Sequence, residues 1–249
     1  MLFFTIIQKL YSQENVLKVK YLLEYGIVKN TEFLLVNKNY SKYQNSPLLI
    51  EDKRDVIKNN EKNEYTVFQK EIKLDKIETY QYYNNNVIYQ KHNKNKENIY
   101  IVDTLPKFKW EIKHEERKKI GNYDCIKATT IYRGTKIIAY FTEALPFLFG
   151  PWKFGKLPGL ILEVYTIEDM MTHRWTAIEV NYPYKSDEVT SFELPKDKKI
   201  ISMKKYVEEN DNELKEINKM NELRNPLGVK STSVIERLGV EKIYEWEKL

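Results

Sequence analysis

The segment from Gly121 to Val164 constrains the fold of this chain most, because it combines glycine and proline with strongly apolar sequence. It contains five of the eight glycines and three of the eight prolines among 249 residues. Its end, Gly150 to Val164, reads GPWKFGKLPGLILEV. Proline cannot donate to a β-ladder, so residues 144–159 are expected to leave a sheet. The apolar run that follows is expected to re-enter it as a strand buried on both faces.

Within this loop the sequence predicts an irregular backbone. Gly155 and Gly159 allow dihedral angles that are closed to other residues, and Pro158 restricts φ between them. The loop is therefore interpreted as a specified structural element. Its expected scaffold consists of Gly150, Pro151, Gly155, Leu157, Pro158, Gly159, Leu160 and Ile161.

Four large aromatic residues accompany this scaffold, namely Phe147, Phe149, Trp152 and Phe154. Two roles are compatible with them. They form either an exposed contact surface for a ligand or partner, or a plug packed over the open end of the sheet. Large aromatic side chains supply core area more often than recognition, which favours the plug. Both alternatives are kept, and the binding hypothesis concerns the loop 146–159.

Several motifs between Trp110 and Val164 occur in a recognisable order. They are GNYDCIKA at Gly121–Ala128, a glycine at Gly134, Phe141-Thr142 with Pro146, and Gly150–Ile161. In this order they resemble the GLPGLI family of Bacteroidota proteins. Lys156 replaces the first glycine of the naming motif, and Thr135 replaces the arginine that usually follows Gly134. The resemblance implies an exported, uncharacterised protein with no catalytic residues to carry over.

Period-two alternation of apolar and polar residues marks most of the chain before residue 195, as in half-buried strands. The predicted strands are residues 19–25, 32–37, 65–72, 87–90, 99–102, 108–112, 123–132, 136–142, 160–167 and 174–182. No helical pattern separates them, which favours an antiparallel meander. A sheet of about ten strands must curl or split to bury its apolar face. We therefore predict a mainly β (α+β) fold with a strongly curved antiparallel sheet, forming an incomplete barrel or a bowl.

Other segments depart from this alternation. Glu51–Asn63 and Lys91–Asn98 are strongly polar and are predicted to be exposed loops. After residue 195, apolar residues recur at threes and fours, which predicts a helix that ends by Pro226 and Gly228. A short amphipathic piece, Val234–Trp246, is expected to dock through Val240, Ile243 and Tyr244. The predicted domains are thus residues 13–195, an antiparallel β domain, and residues 196–249, a helical extension packed on the sheet.

The N-terminal residues 1–12 are interpreted as the remnant of a truncated signal peptide, the alternative being a first strand. Leu2–Ile7 is apolar but shorter than the usual signal core of ~7–15 residues. We therefore expect an exported protein, periplasmic or associated with the outer membrane. No cysteine follows the apolar run, so no lipid anchor is expected. No stretch reaches the ~18 apolar residues of a transmembrane segment.

Composition and the few metal-binding residue types exclude several classes. The 41 basic and 36 acidic residues are interspersed, which is not typical of a nucleic-acid-binding protein. The single cysteine, Cys125, leaves no intrachain disulfide and no thiolate zinc cluster. His92, His114 and His173 share no ligand-like spacing. The sequence therefore predicts no metal and no cofactor.

Two functional hypotheses follow. The first is a non-enzymatic cell-envelope binding or accessory protein, which engages a hydrophobic small ligand or an envelope protein through a concave sheet and the loop 146–159. The alternative is a hydrolase with a carboxylate/His site near residues 163–173, built from Glu163, Glu168, Asp169 and His173. No nucleophile elbow, P-loop or dinucleotide motif occurs, so no catalytic residue is assigned.

Overall fold

The computed structural model describes residues 16–26, 28–45, 49–59, 64–73, 77–82, 86–94, 97–167, 172–185, 199–223, 237 and 239–247. The strands are β1 (Val16–Tyr25), β2 (Val28–Val36), β3 (Tyr40–Asn45), β4 (Leu49–Asn59), β5 (Glu64–Lys73), β6 (Glu78–Tyr82), β7 (Val87–Lys94), β8 (Glu97–Thr104), β9 (Glu111–Ile120), β10 (Tyr123–Tyr132), β11 (Thr135–Thr142), β12 (Leu160–Ile167), β13 (His173–Tyr184) and β14 (Lys199–Ser202). A helix, α1 (Met203–Leu223), and a 3-10 turn (Glu245–Glu247) follow.

Twelve of the strands form one open sheet, in the order β14-β8-β7-β6-β3-β2-β1-β13-β12-β11-β10-β9. Strands β4 and β5 pair separately. The prediction of a mainly β fold with a C-terminal helix is confirmed. The purely antiparallel meander is wrong, because β14 pairs with β8 in parallel. This strand arrives after residue 195, so the sheet extends into the region expected to be helical.

Two segments predicted to be exposed loops are strands instead. Most of Glu51–Asn63 belongs to β4, which pairs with β5. Lys91–Asn98 contributes the end of β7 and the start of β8, with His92 opposite Ile99. In both places neighbouring strands satisfy the backbone hydrogen-bonding groups, and this pairing needs no apolar alternation in the sequence.

The sheet curls far enough to bring β8, near one end of the strand order, to the β10–β11 turn near the other end. Asp103 in β8 and Arg133 in the β10–β11 turn lie near opposite ends of the strand order, yet Arg133 Nη1 donates to Asp103 Oδ2 at 2.8 Å. The C-terminal segment crosses the same gap, since the backbone N–H groups of Lys242 and Ile243 both donate to the Arg133 carbonyl at 2.9 Å. The fold is therefore an open sheet whose ends are joined by side chains and by the segment 239–247.

The main core lies between β1–β3, β10–β13 and the loop before β12. A smaller cluster joins β8 and β14 to the start of α1 and to Tyr244. The helix contributes only Met203 and Val207 as buried residues, so it packs through its first two turns. In the C-terminal segment, Val240 and Tyr244 are buried while Ile243 is exposed.

Within the described part of the chain, no helix combines the length and the apolar character needed to cross a membrane. The expected signal remnant, residues 1–12, lies outside the described residues.

Candidate functional site

The loop 146–159 is packed into the curled sheet. Phe147, Phe149 and Phe154 are buried in the main core, and Trp152 is partly buried. Distant parts of the chain hold the loop: the Gln81 side-chain amide donates to the Trp152 carbonyl at 2.8 Å. Three of the four predicted contact residues are thus enclosed, an arrangement that agrees with the plug alternative.

The loop scaffold departs from the expected use of its glycines. Among the described residues of the loop, the positive φ angles belong to Trp152 (φ 53) and Lys156 (φ 69). Gly159 is required for a different reason, because a Cβ there would lie 2.1 Å from the Thr142 carbonyl oxygen. At Gly150 a Cβ would lie 2.8 Å from Cβ of Ile161. The glycines therefore permit close packing of the backbone.

The remaining scaffold residues divide between the core and the surface. Leu157, Leu160 and Ile161 are almost fully buried, whereas Pro158 is exposed. Pro151 and Gly155 are buried, and the Trp110 indole N–H donates to the Gly155 carbonyl at 2.9 Å.

The loop also places a buried cation, Lys153, in the gap between the sheet ends. Lys153 is fully buried, and its Nζ donates to both carboxylate oxygens of Glu241 at 2.8 Å. Arg133 donates to Glu241 as well and forms a two-bond pair with Asp103. Burial alone raises the pKa of Glu241, but Lys153 and Arg133 outweigh it and hold that pKa below its usual value. Glu241 is therefore held as a carboxylate between two cations.

Beside this ion network lies a cleft of about 1080 Å³, between the β7–β8–β14 end of the sheet and the β10–β11 end. We call this space the cleft throughout. Its apolar lining comes from Val87, Val102, Leu105, Ile131, Met203 and Trp246. Ile131 leaves 74% of its surface exposed. Leu105 and Met203 are buried and the other three are half-buried, so Ile131 is the strongly exposed member of this apolar lining, which we call the floor.

Basic residues border the same cleft, namely Lys107, Lys109, Lys136 and Lys204. The acidic residues of the lining already have partners. Asp103 and Glu245 pair with Arg133, and Glu111 pairs with Lys113. Among the described residues, Lys107, Lys109 and Lys136 lie within ion-pair distance of no carboxylate. The cleft therefore presents uncompensated positive charge.

A second cluster lies on the core-facing side of β1 and β13, where aromatic rings form a row. The Tyr25 and His173 rings are 4.0 Å apart, the His173 and Trp175 rings 5.8 Å, and the Trp175 and Trp152 rings 6.5 Å. Beside this row the Trp175 indole N–H donates to the Glu32 carboxylate at 2.7 Å. Burial raises the pKa of Glu32 to about 7, although the bond from Trp175 lowers it.

His92 is a further titratable side chain that lies beside an aromatic ring, in this case Tyr206 of helix α1. Its ring lies 5.4 Å from the Tyr206 ring, and its buried Nε2 has no hydrogen-bond partner among the described residues. Burial, together with the charge of Lys153, lowers the pKa of His92 to about 4. The imidazole is therefore neutral at physiological pH.

The residues of the hydrolase alternative are not brought together. His173 stacks on Trp175 on the core-facing side of β13. Glu163 lies on the opposite face, where it pairs with Lys118 at 2.6 Å and Arg174 at 3.8 Å. Glu168 and Asp169 lie outside the described residues. The part of this set that can be placed therefore forms no acid–base pair.

Two other titratable residues, Cys125 and His114, lie within strands of the sheet. Cys125 is buried, and burial raises the pKa of its thiol to about 11. His114 lies in the edge strand β9, not on a helix. Among the described residues, no group of three His, Cys, Asp or Glu side chains is arranged to hold a metal ion.

Sequence reasoning missed the ion network that frames the cleft. Asp103, Arg133, Lys153 and Glu241 are single charges in four distant segments and form no motif. One signal was present, because Lys153 lies directly between two large aromatic residues, Trp152 and Phe154. A lysine in such surroundings needs a buried partner.

Comparison with known proteins supports the fold alone. No protein-family model matches this sequence, and no curated protein matches it. The chain is similar to PNGF-II in two crystal forms: 19% identity with a TM-score of 0.50 in space group C2, and 17% identity with a TM-score of 0.53 in space group P21. Each match covers 78% of this chain and 32% of PNGF-II, so the chain spans about a third of that protein's length.

Proposed function

We propose that this chain is a non-enzymatic binding protein of the cell envelope, and that it engages its ligand or partner in the cleft. The observation that carries this proposal is the cleft itself, a space of about 1080 Å³ whose apolar lining includes the exposed Ile131 and whose border is basic. Small-molecule sites usually measure ~300–1,000 Å³ and are lined mainly by apolar side chains with a few polar groups. The cleft therefore has room for a hydrophobic small ligand or for a segment of an envelope protein.

In this proposal the loop 146–159 supports the residues that line or frame the cleft. Lys153 holds Glu241, and the Trp152 ring lies 6.5 Å from the ring of Tyr132, which lines the cleft. The four aromatic residues then stabilise the binding site without contacting the ligand, because none of them lines the cleft. The hydrolase alternative has less support, since Glu163 and His173 lie on opposite faces of the sheet.

Binding of the neutral fluorescent probe N-phenyl-1-naphthylamine tests the proposal. Ile131→Glu places a charge on the exposed floor of the cleft, and we expect it to weaken probe binding at least tenfold. Ile178→Glu is the matched control, because Ile178 is 52% exposed on β13 and lies outside the cleft. Both variants should keep the melting temperature of the wild type. Absence of binding by the wild type, or equal binding by both variants, would overturn the proposal.

The compartment is tested separately. The resemblance to the GLPGLI family supports export, and we expect fractionation of the native cells to find the protein in the periplasm or with the outer membrane. Recovery in the cytosol would contradict this part of the proposal and leave the binding test unaffected.

A further inference from the structure

We infer that the ligand of the cleft is an acidic amphiphile, whose anionic group is held by Lys107, Lys109 and Lys136. The inference rests on the proposed function, because it specifies what the cleft binds. It goes further by assigning a charge to the ligand and named residues to its recognition.

The distribution of ion pairs around the cleft carries this inference. Every acidic side chain of the lining is already engaged: Asp103 and Glu245 by Arg133, and Glu111 by Lys113. Lys204 lies 4.0 Å from Glu208 on its own helix. Lys107, Lys109 and Lys136 have no carboxylate within ion-pair distance in the described parts of the chain. An anion entering the cleft would therefore meet cations without displacing an existing partner.

The unpaired lysines border the apolar floor. Lys136 of β11 is the direct cross-strand partner of Ile131, the most exposed apolar residue of the lining. The Lys109 carbonyl accepts a hydrogen bond from the Thr130 hydroxyl at 3.1 Å, which anchors the 105–110 loop against β10. Positive charge and apolar surface thus lie side by side on elements that are held together. The matching chemistry is an apolar body that ends in a carboxylate or a similar acidic head group.

The pattern favours a small amphiphile over a nucleic acid. Nucleic-acid surfaces neutralise a succession of phosphates with clustered basic residues. Here three unpaired lysines lie among Glu111 and Glu245, and apolar and aromatic residues make up about half of the remaining lining. One anionic group beside an apolar body satisfies this surface, whereas a polyanion would bring phosphates against the acidic residues.

Two probes with the same aromatic frame test the inference. 8-Anilinonaphthalene-1-sulfonate carries one negative charge, and N-phenyl-1-naphthylamine carries none. An exposed ion pair raises affinity by at most about fivefold, and most pairs contribute less than this limit. Two or three pairs together should therefore make the anionic probe bind about tenfold more tightly than the neutral probe. The preference should shrink as salt is raised, because exposed charges are screened.

The lysines are tested by the triple variant Lys107→Gln, Lys109→Gln, Lys136→Gln. We expect its preference for the anionic probe to fall below about twofold, while its affinity for the neutral probe is retained. The control triple, Lys119→Gln, Lys205→Gln, Lys215→Gln, removes the same charge from exposed positions outside the cleft and should keep the tenfold preference. Ile131→Glu should weaken binding of both probes.

The possible failures are distinguishable. Equal wild-type affinities for the two probes would overturn the acidic ligand and leave the binding cleft intact. A preference that survives in the cleft triple variant would overturn the assignment to these lysines. If neither probe binds the wild type, the proposed function is overturned together with the inference.

Discussion

Asp103 and Arg133 form a two-bond ion pair that joins opposite ends of an open sheet, with N–O distances of 2.8 and 3.2 Å. Both side chains are nearly inaccessible, with 6% and 4% of their surface exposed. An ion pair that is buried in this way is energetically sensitive to the loss of one member, because the other charge loses its hydrogen-bonded partner in a site that water does not reach. The pair also forms part of the wall of the cleft, so under the proposed function stability and binding would depend on the same contact.

We expect Arg133→Leu to lower the free energy of unfolding by roughly 3–5 kcal/mol, since it leaves the buried Asp103 with Lys153 alone, 3.7 Å away, and removes one of the two cations that pair with Glu241. Arg174→Leu is the matched control. Arg174 is 45% exposed and lies 3.8 Å from Glu163. Its loss should cost about 1 kcal/mol or less. Urea denaturation of both variants measures the difference, and equal losses would show that the sheet ends do not depend on the pair.

Gly159→Ala should be among the most damaging single changes in the loop. The added Cβ would lie 2.1 Å from the oxygen and 2.7 Å from the carbon of the Thr142 carbonyl, and neither backbone atom can move independently. We expect a loss of roughly 3 kcal/mol or more, or failure to fold. Gly121→Ala is the control, because Gly121 has φ +55 but open space around its Cβ position. It should cost only about 1–2 kcal/mol, measured by thermal denaturation.

Lys156→Gly should stabilise the protein. Lys156 is exposed and adopts a φ of 69, a left-handed angle that costs non-glycine residues about 1 kcal/mol. Glycine occupies this position in the GLPGLI motif that the loop resembles. We expect a gain of about 0.5–1 kcal/mol in the free energy of unfolding. Lys119→Gly, in strand β9, should instead lose a similar amount, and a loss in both variants would argue against backbone strain at Lys156.

Glu32→Gln should change how stability depends on pH. Burial raises the pKa of Glu32 from 4.5 to about 7, so the folded protein holds this proton more tightly than the unfolded chain does. The wild type therefore loses stability as pH rises from about 4.5 to about 7, by at most ~3 kcal/mol. Glutamine still accepts from Trp175 but does not titrate. Chemical denaturation should give similar stabilities near pH 4.5 and a more stable variant above about pH 7. A constant difference across that window would contradict the prediction.

The bounds of strands with a buried face could be predicted from the sequence, whereas those of the edge strand β9 could not. Predicted and observed bounds agree for β10 and β12, where apolar residues alternate or form a continuous run. Strand β9 is almost entirely charged between Lys113 and Lys119 and lies at the edge of the sheet. Its conformation depends on pairing with β10, a contact that leaves no apolar pattern.

The candidate site was predictable only in part, because charge pairs carry no periodic signal. The motif of residues 150–161 located the loop correctly, since glycine, proline and large aromatics restrict local structure directly. The partners of Lys153 could not be inferred, because Asp103 and Glu241 lie far from it along the chain. Which charges meet in a curled sheet depends on how far the sheet curls, and that is determined by packing of the whole core.

The contacts of segment 239–247 affect the order in which the fold is completed during synthesis. Tyr21 and Ile161 are hydrogen-bonded in the core across 140 residues, and Arg133 and Glu241 pair across 108. Contacts over such separations form slowly, because long stretches of chain must be ordered before they are gained. During synthesis, Arg133 and Lys153 have no carboxylate of Glu241 to meet until that residue has itself left the ribosome. Completion of the ion network by Glu241 is therefore a late step in the maturation of the chain, and until it occurs Arg133 and Lys153 have Asp103 as their shared carboxylate while the gap between the sheet ends lacks its covering segment.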